Sequence, residues 1–456
     1  MDTWIGRDAA QIAEAVRTGA AEPRTVVQQH LDRIERLNPQ LAAFRRVRRD
    51  EALAEADALA ARPDLAGLPL AGVPVAVKDN VEVAGEQLRN GSAAYPETVN
   101  DTDHPVVARL RAAGAVVVGV TNVPELCLMP MSDSVYGIAR NPWNRDRTPG
   151  GSSGGSAAAV SAALVPLAHG NDGLGSIRIP AACCGLVGIK PGAGMVPPSI
   201  SGEPSWYGLS ENGPLATTVH DAALGLSVMA DDPGLARLDD PGTLRIGLSV
   251  RSALTGLPVD PRSVAVTVEA GELLEGLGHR VGPHTARYPA WLGPGTLRTW
   301  YSCAYKDALG LDRARLDRRT RRMAATGRVL ETLHAGGGGV RGRWRDGAAD
   351  DFFGEIDVLV LPSLATVPPP ARRYGDRGAI VNTYLSVMAA SLFGAWNLAG
   401  WPAMNVPAGV HDALGTPLGV QLVARPGGER LLLELAAQLE TARPWQRYAP
   451  EYRVEG

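Results

Sequence analysis

Residues 148–156 read Thr-Pro-Gly-Gly-Ser-Ser-Gly-Gly-Ser, and a second cluster, Gly-Asn-Asp-Gly-Leu-Gly-Ser, follows at 170–176. Runs this rich in glycine and serine are commonly flexible linkers. Here the first run opens directly onto the apolar helix pattern 157–164, with no change of composition around it, so it is embedded in a fold. One helix and one strand separate the two clusters. Glycine permits backbone conformations and close approaches denied to other residues. Consecutive N–H groups at such a turn can form an anion-binding concavity. Ser176 closes the second cluster and leads into a helix beginning Ile177-Arg178, which places it like a nucleophile beside an oxyanion hole.

Around this segment the patterning alternates. Three helices are expected in the first sixty residues, where Ile12, Ala15 and Val16, then Val26, Val27, Leu31 and Ile34, recur at helical spacing. Strands are expected at 73–77, 115–120, 244–248, 358–361 and 419–423. Helices are expected at 104–113, 263–277, 384–398 and 429–441, and a mobile loop at 336–339. The alternation points to an α/β fold, a large mixed sheet covered by helices on both faces. We divide one domain, 1–456, into an N-terminal helical segment (1–62), a catalytic core (63–235), a variable substrate-side insertion (240–350) and a C-terminal part of the core (355–442).

A serine hydroxyl needs a base to become nucleophilic. His169, at the end of the strand feeding the second glycine turn, and His220, at the start of a helix, read better as packed or surface residues. Gly151-Ser152-Ser153-Gly154-Gly155 fits G-x-S-x-G, but the polar stretch 144–149 before it is no strand, which excludes that nucleophile elbow. No phosphate-binding loop, H-E-x-x-H or paired-cysteine pattern occurs, so neither metal nor cofactor is expected. Lysine remains. Lys78 ends the apolar run 73–77; such a lysine is commonly a surface residue, but if buried it would be neutral and able to take a proton.

With these residues in view the chain resembles the amidase signature family. The motifs are Gly-Val-Pro-x-x-x-Lys-Asp at 72–79, Gly-Gly-Ser-Ser-Gly-Gly-Ser at 150–156, and the block 170–181 followed by Cys-Gly-Leu-Val-Gly-Ile-Lys-Pro at 184–191. Ser152 and Ser176 stand 24 residues apart, as in that family. Weaker matches at 141–143, 213–215, 400–403 and 419–421 extend the resemblance over 5–235 and 355–442. The resemblance implies an amidohydrolase acting on linear or cyclic amides through an acyl-enzyme. In it Ser176 attacks, Ser152 (held through a cis peptide bond) relays the proton, Lys78 is the neutral base and Ser153 supports them. Asp172 and Arg178 also support the site, and the N–H groups of Gly173, Leu174, Gly175 and Ser176 form the oxyanion hole. Cys127, Leu128, Met129 and Met131 would line one wall of the substrate site, Trp206 and Tyr207 another. Trp291, Trp300 and Tyr301 cluster near Cys303, and together these favour a hydrophobic or aryl acyl group. Two positions depart from the pattern: Leu174 replaces a glycine, and Thr217 an arginine.

Composition bounds the alternatives. A net charge of −3 on 456 residues gives no reason to expect nucleic acid or an acidic membrane surface. Six arginines between 313 and 322 are interleaved with Asp312 and Asp317, the pattern of a solvated helix face. They also suit the amidase subunit of a tRNA-dependent amidotransferase, the first alternative; a non-catalytic binding module is the second. Four cysteines, no signal peptide and no long apolar run suggest a cytoplasmic protein with reduced thiols. The expected partner is a small-molecule amide, with no nucleic acid and no membrane; a homodimer stays open.

Overall fold

The computed structural model describes residues 3–198, 206–252, 258–285, 288–333 and 336–454. Its strands are β1 (Phe44–Val47), β2 (Pro74–Lys78), β3 (Val116–Thr121), β4 (Asp133–Ser134), β5 (Gly137–Ile138), β6 (Leu167–Asp172), β7 (Val187–Lys190), β8 (Glu211–Ala216), β9 (Arg245–Leu248), β10 (Arg280–Pro283), β11 (Val358–Pro362), β12 (Ala403–Val410) and β13 (Pro417–Ala424). Among the described residues eleven of them form one mixed sheet in the order β1-β3-β2-β6-β8-β7-β12-β13-β11-β9-β10, and β4 and β5 form a separate ribbon. β2 runs parallel to both β3 and β6, whereas β6, β8, β7, β12, β13 and β11 pair antiparallel in turn. β2, β3, β6, β7, β8, β11 and β13 are buried at every residue. Such strands read as continuous apolar runs because helices cover both faces of the sheet.

The N-terminal helices form at Ala9–Arg17, Pro23–Leu41 and Arg49–Ala60, with Pro23 in the first turn, where its missing N–H does no harm. β1, between the last two, was not anticipated; Arg45 and Arg46 fill half of its four positions and hide any alternation. The helix expected at 384–398 is two helices, Ala379–Ala390 and Gly394–Ala399. The break at 391–393 has a cause: the Leu392 carbonyl accepts from Gln421 Nε2 and Trp396 Nε1, and the Phe393 ring turns under Arg178. The glycines at 336–339 are not a free loop. Gly337–Gly339 make one 3₁₀ turn, and a Cβ at Gly337 would sit 2.3 Å from the Thr299 Cα.

The stretch 240–350 divides in two. β9 and β10 extend the sheet parallel to β11, and the helix Pro261–Gly276 packs on β11 and β13, so this half belongs to the sheet. The helices Leu292–Asp307 and Arg318–Thr332 pack on each other, and the first borders the cleft described below. Arg319, one of the clustered arginines, is fully buried and not solvated; its guanidinium donates to the Asp133 carboxylate and carbonyl, each at 2.8 Å. No described helix is long and apolar enough to cross a membrane.

Candidate active site

The carboxyl ends of two neighbouring parallel strands carry the first groups. Lys78 is the last residue of β2 and Asp172 the last of β6. Crevices beyond strand carboxyl ends are where open α/β sheets bind ligands. Lys78 is fully buried, and its Nζ donates to Ser152 Oγ at 2.7 Å and to the Asn171 carbonyl at 3.0 Å. Among the described residues no carboxylate lies within salt-bridge distance of that amine. Burial pushes the Lys78 pKa below the ordinary lysine value, and the nearby Cys127 and Asp172 offset this only in part.

Ser152 follows a cis peptide bond from Gly151, and Ser153 directly precedes the helix Gly154–Ser161. That helix starts hard against the sheet: a Cβ at Gly155 would come within 2.4 Å of the Ala43 carbonyl oxygen and 2.5 Å of the Asn122 one. Glycine is thus required for Ser152 to reach Lys78. The Ser153 N–H donates to the Ser176 carbonyl at 3.1 Å, and its hydroxyl joins the Asn171 backbone, so the two glycine turns are laced together. Ser176 is half-buried and borders the cleft described below.

Asp172 and Arg178 brace the second turn. The carboxylate accepts from the N–H groups of Gly175 (2.6 Å) and Ile177 (3.2 Å) and from Arg178 Nε (2.8 Å), with neither side chain exposed. Burial would raise the Asp172 pKa, but Arg178, Lys190 and Asn397 outweigh it and hold the group well below the usual carboxylate range. Arg178 also donates to Gln421 Oε1 and Asn397 Oδ1, both at 2.6 Å. Because Gly175 N–H serves Asp172, the expected set of oxyanion donors shrinks to Gly173, Leu174 and Ser176. Gly175 has φ +117° and Phe393 at 2.8 Å from any Cβ, so no side chain fits there.

Ser176 opens onto an apolar cleft of about 340 Å³. Cys127, Leu128, Met129, Leu174 and Trp206 line it. Met131 is packed in the core, and Tyr207 turns away to hydrogen-bond Glu331 through its hydroxyl at 2.9 Å. Trp300 also lines the cleft, with its indole donating to the Leu128 carbonyl at 2.9 Å, whereas Trp291 packs on Trp344 and Tyr301 bonds Thr383. Trp206 lies against Gly173 and is held by Asp307, which accepts its N–H at 2.7 Å. Among the described residues none that lines the cleft carries a charge.

His169 sits inside β6, not at its end, and both nitrogens are engaged: Nδ1 accepts from the Lys78 N–H, leaving Nε2 to donate to Asn212 Oδ1. Burial lowers its pKa to about 3, so it stays neutral. His220 is exposed at the start of the helix Val219–Ala230. Cys127 donates to Asn90 Oδ1, and burial pushes its thiol pKa up. Sequence reasoning assigned no role to Asn171, in β6, or to Asn397, in the helix Gly394–Ala399; their partners come from other elements, which only the folded sheet brings together.

Comparison with known proteins bears on the family and the fold. The Amidase family model matches residues 25–305 and 340–433. A putative amidase AmiB2 of Mycobacterium tuberculosis is 44% identical over 97% of this chain and 97% of that protein. Among solved structures, 6-aminohexanoate cyclic dimer hydrolase with substrate superimposes with a TM-score of 0.85 at 30% identity, over 99% of this chain and 100% of that one. A bacterial aryl acylamidase of the amidase signature family gives 0.83 at 25% identity, over 98% and 97%.

Proposed function

Because this chain belongs to the amidase family, we propose that it hydrolyses the carbon–nitrogen bond of an amide with an uncharged, apolar acyl group, through Lys78, Ser152 and Ser176. One observation carries the reading: a buried lysine amine, with no carboxylate partner among the described residues, 2.7 Å from a serine hydroxyl in a strand-end crevice. In the neutral form that amine accepts the Ser152 proton, and Ser152 in turn accepts from Ser176. Ser176 Oγ bonds to the amide carbon, and the oxygen of the tetrahedral adduct is met by the N–H groups of Gly173, Leu174 and Ser176. Ser152 returns the proton to the nitrogen, the carbon–nitrogen bond breaks, and water then cleaves the acyl ester by the same relay. Asp172 and Arg178 hold the turn that presents these donors. The uncharged cleft supports an apolar acyl group, since a charged one would be stripped of water without a partner.

A fluorophosphonate probe tests this. It should label Ser176, and Ser176→Ala should lose both labelling and all but about a thousandth of the turnover, the scale on which such units fail, with an unchanged melting temperature. Labelling at another residue, or retained turnover, would overturn the assignment.

A further inference from the structure

The wall of the cleft nearest the second glycine turn is held in an uncommon backbone state. Trp206 and Tyr207 have φ of +55° and +56°, in the left-handed region that residues other than glycine rarely adopt. Two such residues in succession are strained, and they persist only where their surroundings hold them. The helix pair does so. The Trp206 indole N–H donates to Asp307 Oδ2 at 2.7 Å, the Tyr207 hydroxyl donates to Glu331 Oε1 at 2.9 Å, and Lys306 Nζ lies 3.8 Å from the centre of the Tyr207 ring. Another wall of the cleft repeats the device: Leu126 and Cys127 have φ of +51° and +54°, and Trp300 donates from the helix Leu292–Asp307 to the Leu128 carbonyl. Trp206 also reaches the reacting turn. Its ring covers Gly173 so closely that a Cβ there would stand 2.7 Å from Cε3 and 3.1 Å from Cζ3. Asp172 pins the later part of that turn, through the N–H groups of Gly175 and Ile177. On the Gly173 side the Trp206 ring lies on the turn, and Asp307 fixes the ring.

Asp307 is poorly placed for anything else. It is the last residue of its helix, the end at which the helix dipole disfavours a negative charge. Burial pushes its pKa up to about 7, opposed by the Trp206 N–H. We infer that Asp307 is a positioning residue for the amidase reaction: as acceptor for the Trp206 indole, it locks that ring across Gly173 and keeps the N–H groups of the turn aimed at the oxyanion. This rests on the assignment of Ser176 as nucleophile and of the Gly173 turn as oxyanion donor. Asp307 touches no reacting atom. Its effect falls on the step that builds charge on the oxyanion, and it passes through the indole N–H.

Fluorophosphonate labelling of Ser176 reads that step without a known substrate: the Ser176 Oγ–phosphorus bond forms, fluoride leaves, and the phosphonyl oxygen meets the same N–H groups. Limiting rates at saturating probe are compared for wild type, Asp307→Leu, Asp307→Asn, Trp206→Phe and the double variant Asp307→Leu/Trp206→Phe, beside their melting temperatures. Trp206→Phe keeps a ring over Gly173 but has no N–H to donate. Asp307→Leu and Trp206→Phe should each lower the limiting rate about tenfold, a loss within the range that slight misplacement of reacting groups produces. The double variant should be no slower than the slower single one, since both changes remove one interaction. Asp307→Asn keeps an oxygen acceptor and should recover most of the loss. A residue that only supported the fold would cost the same in either background. An unchanged rate in Asp307→Leu, losses that multiply in the double variant, or Asp307→Asn as slow as Asp307→Leu would each overturn the inference. Where Asp307→Leu does not fold, the other two variants decide: an unchanged rate in Trp206→Phe, or a tenfold loss in Asp307→Asn, overturns it. Wild-type protein left unlabelled at Ser176 defeats the hydrolase assignment and this inference with it, whereas labelling at Ser176 with multiplying losses defeats this inference alone.

Discussion

A lysine amine that is buried beside a serine hydroxyl takes its protonation state from burial, and its chemistry from what that leaves. The Lys78 pKa is lowered by desolvation, so the neutral amine gains ground as pH rises through the lowered value. Activity should follow the same sign. We expect kcat/KM to lose about tenfold per pH unit on an acid limb and to level off above it, and Lys78→Met to lack the limb altogether; a flat profile from pH 5 to 9 would defeat the base assignment. Leu174 makes a second residue-scale case. Were its φ positive, as glycine at that point would allow, the side chain would strain the turn. Among the described residues, however, positive φ falls on Gly175 and not on Leu174, whose half-buried side chain lines the cleft. Leu174→Gly should therefore raise KM for the preferred acyl group about tenfold, since a buried leucine contact is worth about 1.5–3 kcal/mol when complete, and should admit bulkier acyl groups. A chain-length series beside a melting curve checks this. A large loss of stability with an unchanged substrate ranking would mean that Leu174 is a packing residue. These residues were legible in the sequence because they sit on short, glycine-punctuated motifs. Asn397 was not, because it reaches Asp172 and Arg178 from a helix more than two hundred residues further along the chain.

Among the elements, the helix pair Leu292–Asp307 and Arg318–Thr332 fixes the cleft wall. Its anchor is buried: Arg319 donates to Asp133, the Asp317 N–H donates to Glu125 Oε2 at 2.7 Å, and Glu125 in turn accepts from Ser92. Glu125 begins the turn that carries Cys127, so the anchor and the cleft share a segment. Removing one partner of a buried ion pair leaves the other charge unpaired, at a cost of about 3–5 kcal/mol. Arg319→Leu should accordingly lower the melting temperature by several degrees, and Asp133→Leu should lower it further, since Asp133 also accepts from the Tyr374 and Gly375 N–H groups; thermal melts of the two single variants check this. Sequence patterning found the helices 104–113, 263–277 and 429–441 and the strands 73–77, 115–120, 358–361 and 419–423 close to where they form, because apolar periodicity follows burial, but it gave no range for β7, β8 and β12 in the middle of the sheet. It failed at 384–398, where a break is imposed by Gln421 and Arg178 from other elements, and at Arg319, since no charge pattern tells which arginine of a cluster turns inward.

Over the whole molecule, distant parts of the chain are clasped by ionisable groups. The Ala9 and Ala10 N–H groups donate to Asp221, and Arg447 joins Asp8 to Thr217. Thr217 is the second position that departs from the family pattern, and here it serves this clasp. Burial raises the Asp221 pKa from 3.8 to about 6. A carboxyl raised on folding contributes stability that is complete below 3.8 and lost as pH rises through 6. Two units amount to roughly 3 kcal/mol, so Asp221→Asn, which keeps an acceptor for Ala9, should lose less melting temperature than wild type between pH 4 and 7. Equal losses would place the raised pKa in doubt. The sheet as a whole was legible as a layered α/β body; its order was not, because β9 and β10 reach the far edge from within a stretch that reads as an insertion. The cleft beside Ser176 carries one more consequence, for what can stop the enzyme. A space of about 340 Å³ that receives an apolar acyl group also receives the tail of a detergent or a fatty acid. Non-ionic detergents and medium-chain acids would then compete with the substrate, and the carboxylic acid released by the reaction, which keeps the same tail, would slow its own formation.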